Sequence, residues 1–246
     1  MDYVLLAVLL LGIAAAAIGQ VITGRGFMMI AAPTAMLTLG WAEGLRIALL
    51  FGLMLALVQL LAERPALRTR PLLNILVPAV VATPLWVWLI GLLPDPVAGR
   101  LAGVVALLAV AYVLLGSRVP AKQLPAPAGS IVAGVGTAGL VSLGGIGWPV
   151  VRWHARGYAE TAPRTQALVT GVLGGVFLIA LIFMGLPGFV GPAMPVASVA
   201  MAGGLIGGGF LVKKKSEAVT EKKGRTGVLA LSAMAGTALL LVGPLG

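Results

Sequence analysis

Apolar positions in this chain gather into long runs separated by short polar stretches. Residues 45–62, 72–93, 97–116, 166–186, 193–212 and 226–246 form six such runs, each near the roughly 20 residues an α-helix needs to cross a bilayer. They are predicted to be six transmembrane spans. Two further apolar pieces, 4–18 and 130–143, are shorter. Each leads through a Gly-rich break into another short apolar run, 27–39 or 148–155, so the pattern predicts two hairpins of short, interrupted helices beside the spans.

Composition agrees. Of 246 residues 60% are hydrophobic and only 10% charged, with mean hydropathy +1.09, whereas soluble domains carry about a quarter charged residues. The expected class is an all-α polytopic protein, multi-pass in the cell inner (plasma) membrane. Met1-Asp2-Tyr3 contains an acid and no Lys or Arg, so the apolar stretch 5–17 lacks the charged n-region of a signal peptide and is expected to be retained. The absence of Cys excludes disulfides, thiolate metal sites and a cysteine nucleophile. A net charge of +10 does not point to nucleic acid, because the basic residues are scattered between spans with no aromatic platform beside them.

Their placement sets topology instead, since basic loops face the cytoplasm. Arg64, Arg68 and Arg70, then Arg118 and Lys122, then Lys213, Lys214, Lys215, Lys222, Lys223 and Arg225 mark three inside loops; the loops around Asp95 and over 185–192 hold one Arg between them. The stretch "KKKSEAVTEKKGR" is expected to be a solvated loop of this kind. The two halves of the chain then run in opposite directions, with both termini outside.

The inversion explains a repeated phrase. "GWAEGLR" from Gly40 and "GYAETAPR" from Gly157 share a Gly, an aromatic residue, Ala and Glu, with Pro33 or Pro149 upstream and Arg46 or Arg164 just downstream. The repeat predicts one corner of one structural unit, inserted once each way up: a first inverted repeat over 1–116, a cytoplasmic linker over 117–128 and a second repeat over 129–246. Each repeat holds a broken-helix hairpin and three spans. Transporters built this way place the substrate between the repeats, where helices are interrupted. Glu43 with Arg46, and Glu160 with Arg164, have the spacing of ion pairs on one helix face and are expected to clamp the corners.

The breaks read "GQVITGRGFMMIAAP", 19–33, and "GLVSLGGIGWPVVRWH", 139–154. Gly ends a helix and frees backbone N–H and C=O groups, which inside a membrane only a protein-lined or watery cavity tolerates. Helices starting after each break would turn positive dipole ends and N–H groups toward that cavity, an anion site. Arg25 lies within the first break, and an ionisable residue at membrane depth is by default functional. Its guanidinium suits an oxyanion. The alternative places the hairpin tip at the inner surface, with Arg25 as one more inside charge. Gly24, Gly26, Gln20 and Thr23 at the first break, and Ser142, Gly144, Gly145 and Trp148 at the second, complete the predicted substrate-binding set. Ser and Thr also commonly bond their own helix backbone. His154, alone among arginines, is expected to be interfacial, and neither a metal site nor a cofactor is predicted.

The two Gly-rich segments followed by Pro, "GRGFMMIAAP" and "GGIGWP", each with its Gly-aromatic corner and Ala-rich span, resemble the TauE/SafE sulfite exporter family, also called the 4-toluenesulfonate uptake permease family. The likeness runs over nearly the whole chain and rests on Gly24, Gly26 and Pro33 in the first motif and Gly144, Gly145, Gly147 and Pro149 in the second. Arg25 interrupts a run that is usually glycine, and Trp148 stands where a small residue is expected. The resemblance implies a carrier of sulfite, organosulfonates or related small anions. The expected function is therefore secondary transport of such an anion by alternating access. Export is favoured if the carrier is uncoupled, because one charge across 100 mV is worth about 2.3 kcal/mol; uptake requires a coupling proton or Na⁺. A carrier of lipid-linked phosphate is the alternative. An intramembrane enzyme is disfavoured, since Glu43, Glu160 and His154 are its only candidate acid–base groups and all fall at predicted corners.

Overall fold

The computed structural model describes residues 3–23, 26–63, 66–115, 125–157, 161–185, 193–214 and 217–245. Among them are ten α-helices and no strands: α1 (Tyr3–Thr23), α2 (Phe27–Leu39), α3 (Trp41–Glu63), α4 (Thr69–Gly91), α5 (Asp95–Leu115), α6 (Ala126–Gly144), α7 (Trp148–Gly157), α8 (Ala162–Met184), α9 (Ala193–Lys214) and α10 (Glu217–Val242). The chain is thus all-helical, and α1, α3, α4, α5, α6, α8 and α10 are each long and apolar enough to cross a membrane.

Two expectations change. The first helix of each hairpin is long, 21 residues in α1 and 19 in α6; α2 and α7, with 13 and 10 residues, are too short to span roughly 30 Å of hydrocarbon at about 1.5 Å per residue, and the expected span over 193–212 is not among the seven, the described apolar stretch of α9 covering Ala197–Gly209. Gly12 and Gly19 do not interrupt α1 because each faces a close neighbour. A Cβ at Gly12 would strike the Thr34 side chain, and one at Gly19 would lie 2.7 Å from Val228 Cγ2. The second change is at "KKKSEAVTEKKGR". Residues 217–225 form the opening turns of α10 instead of a loop, consistent with the high helix propensity of Ala, Glu and Lys.

The repeated corner occupies equivalent places in chain order. Gly40 closes α2 and Trp41 opens α3; Gly157 ends α7 shortly before α8. At the first corner α3 leaves α2 so closely that a Cβ on Gly44 would collide with the Ala35 backbone.

The helices gather into two compact units, each drawing on both halves of the sequence. One comprises residues 1–48, 94–110 and 186–246, the other 49–93 and 111–185. In the first unit α1 lies along α9, where a Cβ at Gly204 would sit 2.5 Å from Ala14 O and one at Gly208 2.9 Å from Val21 Cβ. Small residues one turn apart let helix backbones approach to this degree. In the second unit α6 lies along α4, where a Cβ at Gly134 would sit 2.5 Å from Ile75 O and 2.9 Å from Ala79 N. In each unit, then, the long helix of a hairpin packs on the second long helix that follows the other hairpin.

Candidate functional site

Both predicted breaks interrupt the helix. At the first, α1 ends at Thr23 and α2 begins at Phe27; Gly24 and Arg25 lie outside the described residues. Gly26 takes the N-cap position with φ 116°, a left-handed conformation that side chains with a Cβ avoid. The first N–H of α2 does not stand open: Phe27 N donates to the Gln20 carboxamide Oε1 at 3.1 Å, in a buried position. Thr23 Oγ1 donates to Gly19 O at 2.7 Å, the return to its own helix that hydroxyl residues favour. Val228 of α10 closes on the tip, since a Cβ at Gly26 would lie 2.8 Å from its Cγ1.

The second break is built differently. Gly145, at φ 72°, caps α6, and its N–H bonds Val141 O at 2.9 Å. Three residues on, α7 opens at Trp148. Every residue from Gly144 to Pro149 is buried within protein. The chain turns back tightly onto α6, where a Cβ at Gly147 would lie 2.7 Å from Thr137 Cγ2 and 3.0 Å from Thr137 O.

Two polar groups flank this turn without a hydrogen-bond partner: the Ser142 hydroxyl, in a side chain 1% exposed, and the Trp148 indole Nε1, in one 9% exposed. A buried, unsatisfied donor costs about 1–3 kcal/mol. The indole N–H can only donate and the hydroxyl can do so too. With the positive end of α7 beside them, they suit an incoming oxygen acceptor. The sequence places both residues here, but that they stand unpaired emerges only from packing.

Around Trp148 the structure adds a residue that sequence reasoning missed. Tyr112 of α5 meets the Trp148 ring edge-on, with centroids 5.7 Å apart and planes at 71°. Its hydroxyl oxygen accepts a hydrogen bond from Arg156 Nη1 at 3.3 Å. Nothing in the local sequence marks Tyr112, which sits inside an apolar run. Elsewhere on α7, His154 Nε2 lies 3.4 Å from Ser130 Oγ, and burial pushes the imidazole below its ordinary pKa.

At the first corner, Glu43 and Arg46 form the expected ion pair at 3.3 Å. At the second, Arg164 is exposed in the first turn of α8, while Glu160 lies outside the described residues. Among the described residues no three His, Asp or Glu side chains group as a metal site. No known protein family, curated protein or solved structure matches this chain.

Proposed function

We propose that this protein is a secondary transporter, of the TauE/SafE sulfite exporter kind, that moves small sulfur-containing anions such as sulfite or organosulfonates across the cell inner membrane. Two oppositely inserted repeats would alternate access to the anion, with each helix break offering polar groups to it. The observation that carries the reading is the second break, where Ser142 and Trp148 hold buried, unpartnered polar groups beside the N-terminus of α7. Interrupted helices facing a polar ligand are the usual site of inverted-repeat transporters. The matched packing of α1 on α9 and α6 on α4 supports the repeat. Arg25 would supply positive charge along the anion's path, and a proton or Na⁺ would drive uptake where uptake occurs.

The test is flux into proteoliposomes holding the full chain. Sulfite or a taurine-like sulfonate should be carried in preference to phosphate, and Arg25→Ala should reduce that flux by tenfold or more, the scale of one hydrogen bond to a charged group. Flux of phosphate alone, or an Arg25→Ala protein that transports normally, would remove the assignment. Topology is checked separately. The chain has no Cys, so single cysteines can be introduced at the start of each hairpin, at Tyr3, 87% exposed, and at exposed Ala128. An impermeant thiol reagent should label the first from outside and the second from inside; labelling of both from one face ends the inverted-repeat proposal.

A further inference from the structure

We infer that Tyr112 is a positioning residue for the second break: its ring and hydroxyl together fix the direction in which Trp148 presents its indole N–H. This rests on the proposal that the break receives an anion's oxygen. Trp148 is the first residue of α7, and its N–H makes no hydrogen bond. Packing alone therefore orients the indole. Among the described residues its aromatic partner is Tyr112, edge-to-face at 5.7 Å, a geometry in which the positive edge of one ring meets the negative face of the other.

The Tyr112 ring is itself held at its far end. Arg156 donates to its hydroxyl from eight positions beyond Trp148 on the same helix, about 12 Å along the axis. Tyr112 thus touches α7 near both ends and joins the indole to the body of the helix. An indole free to turn would spread its N–H over several directions. One held against Tyr112 keeps a single donor direction ready for the ligand, and preorganisation of that kind raises affinity. A phenylalanine at 112 would keep the ring contact and lose the anchor; a leucine would lose both.

The experiment uses the full chain labelled with 5-fluorotryptophan, in which the ¹⁹F resonance of Trp148 is identified by its disappearance in Trp148→Phe. Sulfite flux is measured in parallel. Tyr112→Leu should shift and broaden the Trp148 resonance and raise the KM for sulfite about tenfold, the upper range for an aromatic pair, with the maximal rate retained. Tyr112→Phe should give a smaller shift and a rise of a few-fold, and it serves as the deciding variant if Tyr112→Leu does not fold. An unmoved resonance in both variants overturns the inference, as does a moved resonance with an unchanged KM. If the wild type carries no sulfite, the transport proposal fails on its own; the resonance then still decides, a shift supporting the positioning role of Tyr112 and its absence refuting it.

Discussion

Replacing Ser142 with Ala and Trp148 with Phe together should lower sulfite flux on the order of a hundredfold, while the unliganded protein loses no more stability than the smaller Phe ring costs. The two readouts separate because of what the groups do in each state. Without ligand both polar atoms are buried and unpartnered, so removing them strands no partner, and the cost to the fold is confined to the volume lost when Phe replaces the buried indole. With an anion bound, each supplies a charge-assisted hydrogen bond of about 1.5–3 kcal/mol, and the loss of two such bonds exceeds a hundredfold in affinity at the lower end of that range. Phe at 148 stays aromatic and lacks only the N–H donor among polar groups, so the loss reports chiefly the N–H. Thermal unfolding in detergent and flux in proteoliposomes measure the two sides. A double variant that is clearly less stable and transports normally would mean that these atoms serve the fold and never meet a substrate.

The second large effect concerns glycine. Gly204→Leu in α9 and Gly134→Leu in α6 should each destabilise the protein by about 1–3 kcal/mol, the usual range for overpacking a close contact. A flexible neighbour cannot absorb the added side chain, because the nearest atoms are backbone: Ala14 O at 2.5 Å in one case, Ile75 O at 2.5 Å and Ala79 N at 2.9 Å in the other. The helices must separate along their length. Gly203→Ala is the control, since a Cβ there meets nothing within 4 Å; it should be neutral or slightly stabilising, as Ala is the better helix former. Equal midpoints for Gly204→Leu and the control in thermal unfolding would show that α1 and α9 do not depend on this approach. The pair also tests the correspondence between the units, which predicts losses of similar size at Gly204 and Gly134.

Much of this architecture was legible in the chain because a bilayer leaves few options. An apolar run of about 20 residues has to be a helix, since every backbone group must be satisfied within the segment. The breaks were legible too, as glycine clusters with a Pro downstream, and both fall where α1 and α6 end. The Glu43–Arg46 pair followed from its spacing on one helix face. Helix length was less legible. Gly19 looks like the start of the break, and whether a glycine breaks a helix or admits a neighbour depends on what stands opposite; here Val228 does. The charged stretch before α10 misled for a related reason, because residues that mark a loop by their polarity also favour helix.

Hydropathy and backbone freedom, both local, were thus enough to give an all-helical chain and its two interruptions. Packing alone fixes which helices share a unit, that Gln20 closes the first break while Ser142 and Trp148 stand unpaired at the second, and that Tyr112 reaches Trp148 across 36 positions of chain. These depend on contacts between distant segments, and no local pattern along the chain records which side chain will stand opposite a given donor.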